Sequence, residues 1–136
     1  MKYVSGYVTP RKFGGFAIPI SIQSKLLRSY ANEIGMTYKL HQGELINEKS
    51  YMVLINMIKD LNKNEHIVMC SIFMFPKEKS KAEKIFKIII EKNITMHFVF
   101  EDIEIKSTEI NDFYNEKFFG FMIRAVSKEN ILKIFN

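Results

Sequence analysis

A chain of 136 residues carrying a net charge of +5 is long enough for one domain and too short for two. Its few Gly and Pro residues and a mean hydropathy of −0.06 exclude collagen-like, low-complexity and disordered classes, and the lone Cys70 excludes an internal disulfide. The positive charge comes almost wholly from lysine, with arginine only at Arg11, Arg28 and Arg124, which describes a Lys-coated surface rather than the Arg-rich face of a nucleic-acid reader.

The elements follow in chain order. Lys2 to Thr9 is β-branched and aromatic and predicts a first strand, stopped by Thr9-Pro10-Arg11 and by Phe13-Gly14-Gly15. From Pro19 to Ile34 the apolar set Ile22, Leu26, Leu27, Tyr30, Ala31 and Ile34 recurs at helical spacing, with Gly35 just past the end. Met36 to Leu45 predicts a second strand, broken by Gly43. Asn47 or Ser50 is suited to cap a second helix running to about Asn62, with Tyr51, Leu54, Ile55, Ile58 and Leu61 as its stripe. His66 to Phe75 is a near-continuous apolar run, the pattern of a central parallel strand covered on both faces. Pro76 ends it, and Ser80-Lys81-Ala82-Glu83 has the form of a capping box opening a third helix that Asn93 closes. Ile94 to Glu101 predicts a fourth strand. The rest is less regular, a helical tail over 107–136 with short helices near Thr108 to Phe118 and Ser127 to Phe135. Its cluster Phe113, Tyr114, Phe118, Phe119 and Phe121 reads as late core or, preferably, as a homo-oligomer interface.

Strands alternating with helices through short connections imply right-handed crossovers, hence a single three-layer α/β domain with a mainly parallel sheet in the order 2-1-3-4. No apolar run reaches the roughly 18 residues of a spanning helix, and Met1 to Pro10 lacks the apolar core of a signal peptide, so a cytoplasmic protein without membrane insertion is expected.

In such a sheet the ligand crevice lies beyond the carboxyl ends of the strands, where the strand order reverses between strands one and three. That rule selects Thr9, Arg11 and Lys12 after strand one, Glu44 after strand two, Ser71 late in strand three with Lys77 and Lys79 beyond it, and Glu101 and Asp102 after strand four. Arg11, beside a Gly-rich turn near a helix start, is the candidate anion clamp. Glu44 and Glu101 are the candidate catalytic acid and base. Ser71 lacks the G-x-S-x-G elbow and is a hydrogen-bonding pocket residue rather than a nucleophile. For Arg28, in the middle of the first helix between Leu27 and Ser29, a structural ion pair is read ahead of a ligand contact. His41, His66, His97 and Cys70 have no metal-ligand spacing, and neither a metal nor a cofactor is expected.

Two resemblances stand beside this reading. Gly6-Tyr7-Val8-Thr9 leading to Gln23, Leu27, Tyr30 and a closing Gly35 resembles the catalytic domain of serine recombinases (resolvases) and implies a resolvase-like or flavodoxin-like fold. That family ends its first strand in Arg-x-Ser with the Ser as nucleophile, whereas here Thr9 falls near the Ser position and Gly6 or Tyr7 near the Arg. Its Asp-Arg-x-x-Arg segment is replaced by Ser71 to Pro76. Gly6-Tyr7 with Arg11, Phe13 and Gly15, Ile18-Pro19 and Gln23, Leu27-Arg28 and Tyr30, Tyr51 with Val53-Leu54, Ser71 with Phe73-Met74, Pro76 and Lys79, and His97-Phe98 with Glu101 are similar to the sporadic carbohydrate cluster family of small bacterial proteins. The match ends near Ile105. It implies a place in cell-surface carbohydrate or unusual-sugar biosynthesis, and its motif residues Arg11, Gln23, Arg28, Ser71 and Glu101 overlap the strand-end set, with Gln23 and Arg28 about a turn and a half apart and expected on one face of the first helix near the first loop. Together the two readings give Thr9, Arg11, Gln23, Arg28 and Ser71 as expected ligand-binding residues and an anionic sugar or nucleotide sugar as the expected partner. The alternatives are a non-catalytic partner in a glycan-synthesis complex, and nucleic-acid binding by a degenerate resolvase-like domain.

Overall fold

The computed structural model describes residues 2–10, 12–13, 15, 17–43, 51–76 and 78–113, and of 40–43 the backbone. β1 (Tyr3–Val8) pairs in parallel with β2 (Thr37–Gly43) on one side and β3 (His66–Met69) on the other, and β3 pairs in parallel with β4 (Thr95–Phe98). A short β5 (Ile103–Ile105) closes the edge antiparallel to β4, giving the order β2-β1-β3-β4-β5. The expected order 2-1-3-4 holds and is extended by one strand. That addition follows from a tight turn over 99–102, closed by the Asp102 N–H on the Val99 carbonyl at 3.2 Å with Asp102 at φ 52°.

α1 (Ile20–Glu33) connects β1 to β2, while α2 (Met52–Asp60) and α3 (Lys79–Lys92) connect strands progressing in the opposite direction across the sheet. Right-handed crossovers therefore put α1 on one face and α2 with α3 on the other, the three-layer arrangement expected. Tyr38, Val4, His66, Val68 and His97 share the α1 face by strand register. The opposite face, with Tyr7, Ile67, Met69, Met96 and Phe98, packs under α2 and α3, whose Leu54, Ile58, Ile85 and Ile89 have no exposed surface. Lys92 of α3 donates to the Ile58 and Leu61 carbonyls at 3.3 and 2.8 Å, and to that of Lys59, satisfying the open carboxyl end of α2. No helix among the described residues is long and apolar enough to cross a membrane.

Several boundaries differ from expectation. The apolar run His66 to Phe75 is strand only to Met69; Ser71 then caps a 3-10 turn (Ile72–Met74) by accepting the Phe73 N–H at 3.2 Å. Ser80 does not cap α3, because the chain is already helical at Lys79 and Glu78 occupies the cap position without a side-chain bond. Asn93 does close α3, in the left-handed conformation at φ 53°. Asn47 and Ser50 lie outside the described residues, as does the tail beyond Phe113. Phe113 itself is core rather than interface, 5% exposed and stacked on Phe98 at 6.4 Å.

Gly6 is required by packing. A Cβ there would come within 2.8 Å of the Tyr38 ring carbons, since Tyr38 on β2 leans across β1. Gly6→Ala is expected to swing that ring outward and lower stability by about 1–3 kcal/mol. Urea unfolding measures it, and Gly6→Ala in a Tyr38→Ala background should recover most of the loss.

Candidate functional site

Side-chain hydrogen bonds tie the carboxyl end of β1 to α1, and the carboxyl end of β3 to that of β4. Gln23, wholly buried in the first turn of α1, accepts the Thr9 N–H on Oε1 at 3.2 Å and donates from Nε2 to the Thr9 and Ile18 carbonyls, both at 2.8 Å. Both amide hydrogens are thus spent on the two ends of the β1–α1 loop, which makes Gln23 the pin of that loop. Thr9 has no exposed surface. Arg11 and Glu44 lie outside the described residues.

Gln23 and Arg28 do not share a face. Five residues at about 100° each leave them roughly 140° apart, and Arg28 projects outward over the Tyr38 ring, 5.7 Å from its centroid. The expected carboxylate partner is replaced, among the described residues, by this aromatic ring. Burial pushes the Tyr38 phenol up to about 12, a rise that the Arg28 charge opposes. Tyr38 Oη is buried without a hydrogen-bond partner among the described residues.

Ser71 and Glu101, selected separately from sequence, meet. Ser71 Oγ donates to Glu101 Oε2 at 2.9 Å, and the Ile72 N–H donates to Oε1 at 2.6 Å. The carboxylate therefore ties the 3-10 turn after β3 to the turn after β4. Burial raises the Glu101 carboxyl above its ordinary range, and the bonds from Ile72 and Ser71 offset part of that rise. Next to it Cys70 is fully buried, its thiol pushed up to about 12 by burial and further disfavoured as a thiolate by the Glu101 charge, so it is no nucleophile near neutral pH.

Glu101 has a legible energetic signature. Glu101→Ala strips the Ile72 N–H of its acceptor and is expected to cost about 1–3 kcal/mol, whereas Glu101→Gln retains one acceptor and gains a donor for Ser71 Oγ and should cost under about 1 kcal/mol. Denaturant unfolding of the two variants near neutral pH checks the difference.

Sequence reasoning missed a second polar cluster, lower on the α1 face. Tyr30 Oη lies 2.8 Å from His97 Nδ1, and His97 Nε2 lies 2.8 Å from His66 Nδ1. His97 is 3% exposed, and burial together with the neighbouring His66 lowers its pKa to about 4. The available signal was a histidine inside an otherwise apolar strand. Among the described residues, no group of three or more His, Cys, Asp or Glu side chains is arranged to hold a metal ion.

A mainly parallel sheet in the order β2-β1-β3-β4-β5, with one helix on one face and two on the other, is the architecture of a resolvase-type catalytic domain. Among solved structures the chain is similar to the N-terminal catalytic domain of TP901-1 integrase, with a TM-score of 0.53 over 99% of each chain and 13% sequence identity. At that identity the likeness concerns the fold. No family model matches the chain, and no curated protein matches it in sequence.

Proposed function

We propose that the protein binds or transforms an anionic sugar or nucleotide sugar in cell-surface carbohydrate biosynthesis, at the carboxyl-end rim of β1, β3 and β4, with Glu101 transferring the proton. The observation that carries this reading is the Ser71–Glu101 pair: a half-buried carboxylate fixed by two donors, with its proton affinity raised, at the place where open α/β sheets take ligands. Phe100, adjacent in the chain and 48% exposed, packs at 6.5 Å on Phe13 of the first loop and offers an apolar ring face of the kind sugar rings use. The sugar class itself rests on the sequence resemblance. Arg11 supplies the anion clamp in this reading.

The fold likeness favours nucleic-acid binding as a second reading. Against recombinase chemistry, Thr9, which falls near the position of the recombinase Ser, is wholly buried. Thermal shift against nucleotide sugars, sugar phosphates, acidic nine-carbon sugars and a short DNA duplex separates the readings. A ligand at about 100 times its Kd stabilises by roughly 2.7 kcal/mol. A shift with one sugar class, lost in Arg11→Ala and reduced in Glu101→Gln, is expected. A shift with DNA alone, steeply weakened by salt, transfers the function to nucleic acid, and no shift with any sugar overturns the proposal.

A further inference from the structure

The rim chemistry leaves the Tyr30, His97 and His66 chain without a role. It spans three elements: Tyr30 on α1, His97 on β4 and His66 at the start of β3. The imidazole centroids are 5.1 Å apart with planes only 22° from parallel, and the facing nitrogens are 2.8 Å apart. The rings therefore lie edge to edge, joined by a direct N–H···N bond. His97 is enclosed, while His66 and Tyr30, at the two ends, are partly exposed.

Such a chain has two directions when both imidazoles are neutral. In the forward one, Tyr30 O–H donates to His97 Nδ1, His97 Nε2–H donates to His66 Nδ1, and His66 carries its hydrogen on Nε2. In the reverse one, His66 Nδ1–H donates to His97 Nε2, His97 Nδ1–H donates to Tyr30 Oη, and the phenol hydrogen points outward. An added proton is compatible with every bond only when Tyr30 accepts. From the forward arrangement, Tyr30 Oη takes a proton from hydronium, leaving water, as it passes its own to His97 Nδ1, and His97 passes its Nε2 hydrogen to His66 Nδ1. One proton enters, and the charge resides on the partly exposed His66 rather than on enclosed His97. A second proton would set N–H against N–H between the rings and break the bond.

We propose that Tyr30, His97 and His66 form a one-proton switch, in which protonation of His66 reverses both hydrogen bonds and turns the Tyr30 hydroxyl from donor to acceptor. The surrounding charges suit this polarity. Burial lowers the His66 pKa below its ordinary value; of the nearby charges, Glu104 of β5, opposite His97 in register, favours a charged His66, and Lys2 ahead of β1 opposes it. After burial, Glu104, Asp102 and Glu33 of α1 each disfavour a Tyr30 phenolate, so the phenol remains neutral while it changes direction. The switch acts on α1, the helix whose Gln23 pins the loop at the rim.

Long-range proton–nitrogen spectra of the imidazole-labelled full chain, taken across a pH series, test the proposal. The expected result is that His97 converts from the Nε2–H to the Nδ1–H tautomer at the same midpoint at which His66 becomes doubly protonated. A His97 that keeps one tautomer throughout, or that itself becomes doubly protonated at that midpoint, overturns it. Tyr30→Phe removes the acceptor for His97 Nδ1–H and should lower the His66 midpoint by about one pH unit. An unchanged midpoint in a folded Tyr30→Phe variant equally overturns the proposal, and if that variant does not fold, the wild-type tautomer series decides alone.

Discussion

Gln23→Leu is expected to lower the unfolding free energy by about 2–4 kcal/mol and the midpoint of thermal unfolding by on the order of 10 °C. Leucine is close to glutamine in volume and the side chain is wholly buried, so the packing change is small and the cost lies in three lost hydrogen bonds to the Thr9 and Ile18 backbone. Each removes a partner from a backbone group at the base of the loop, at a net cost of about 1 kcal/mol. Gln23→Glu separates this account from packing. It preserves shape and one acceptor, yet aims the other carboxylate oxygen at two carbonyls and should be at least as damaging as leucine. Urea unfolding of both variants is the measurement; a loss below about 1 kcal/mol in either would remove Gln23 from its role as pin. Under the proposed function the consequence reaches the ligand, because Arg11 lies in the sequence between Thr9 and Ile18, and the variant should weaken sugar binding at temperatures where the protein is still folded.

The elements legible in the sequence were those whose signal is local. The stripe of α1 and the stops at Gly35 and Asn93, both at positive φ, depend on residues within a few turns of one another. β3 was overextended because hydropathy reports burial, and Ile72 and Met74 in a 3-10 turn, with Phe75 just after it, are as fully buried as they would be in a strand. β5 has three residues, too few for an alternation to register. The Ser71–Glu101 partnership spans thirty positions and was reachable because parallel topology brings strand ends to one rim. The Tyr30–His97 contact spans sixty-seven, and nothing local marks it. The two histidines share a face because His66 pairs with Thr95, two residues before His97; a register shifted by one would send them to opposite faces, and sequence alone does not set that register. Arg28 was misplaced for a simpler reason: a spacing of five does not keep two side chains on one helix face.

Acid is expected to destabilise the fold through His97. Its pKa in the folded chain, lowered to about 4 by burial and by His66, lies below the ordinary 6.5, so the unfolded chain takes the proton first. The stabilisation is complete above about pH 6.5 and is lost progressively as pH falls from there through about 4, up to a ceiling of about 3 kcal/mol. Glu101 works in the opposite sense. Burial raises its folded pKa above 4.5, so its contribution is fully present below the unfolded value and is lost as pH rises through the folded one. Over the acid range the two partly cancel, and the variants resolve them. Glu101→Gln should steepen the acid loss by removing the group that favours low pH, while His97→Gln should flatten it even though its stability at neutral pH is lower. Denaturant unfolding of the three proteins at intervals between about pH 7 and about pH 4 reads the slopes directly. Parallel slopes for wild type and His97→Gln would place the acid sensitivity elsewhere and show that the imidazole takes its proton equally well in the folded chain. A steeper slope in Glu101→Gln together with a flatter one in His97→Gln would place opposing titrations at the rim and beneath α1, so the pH of greatest stability is set by their balance.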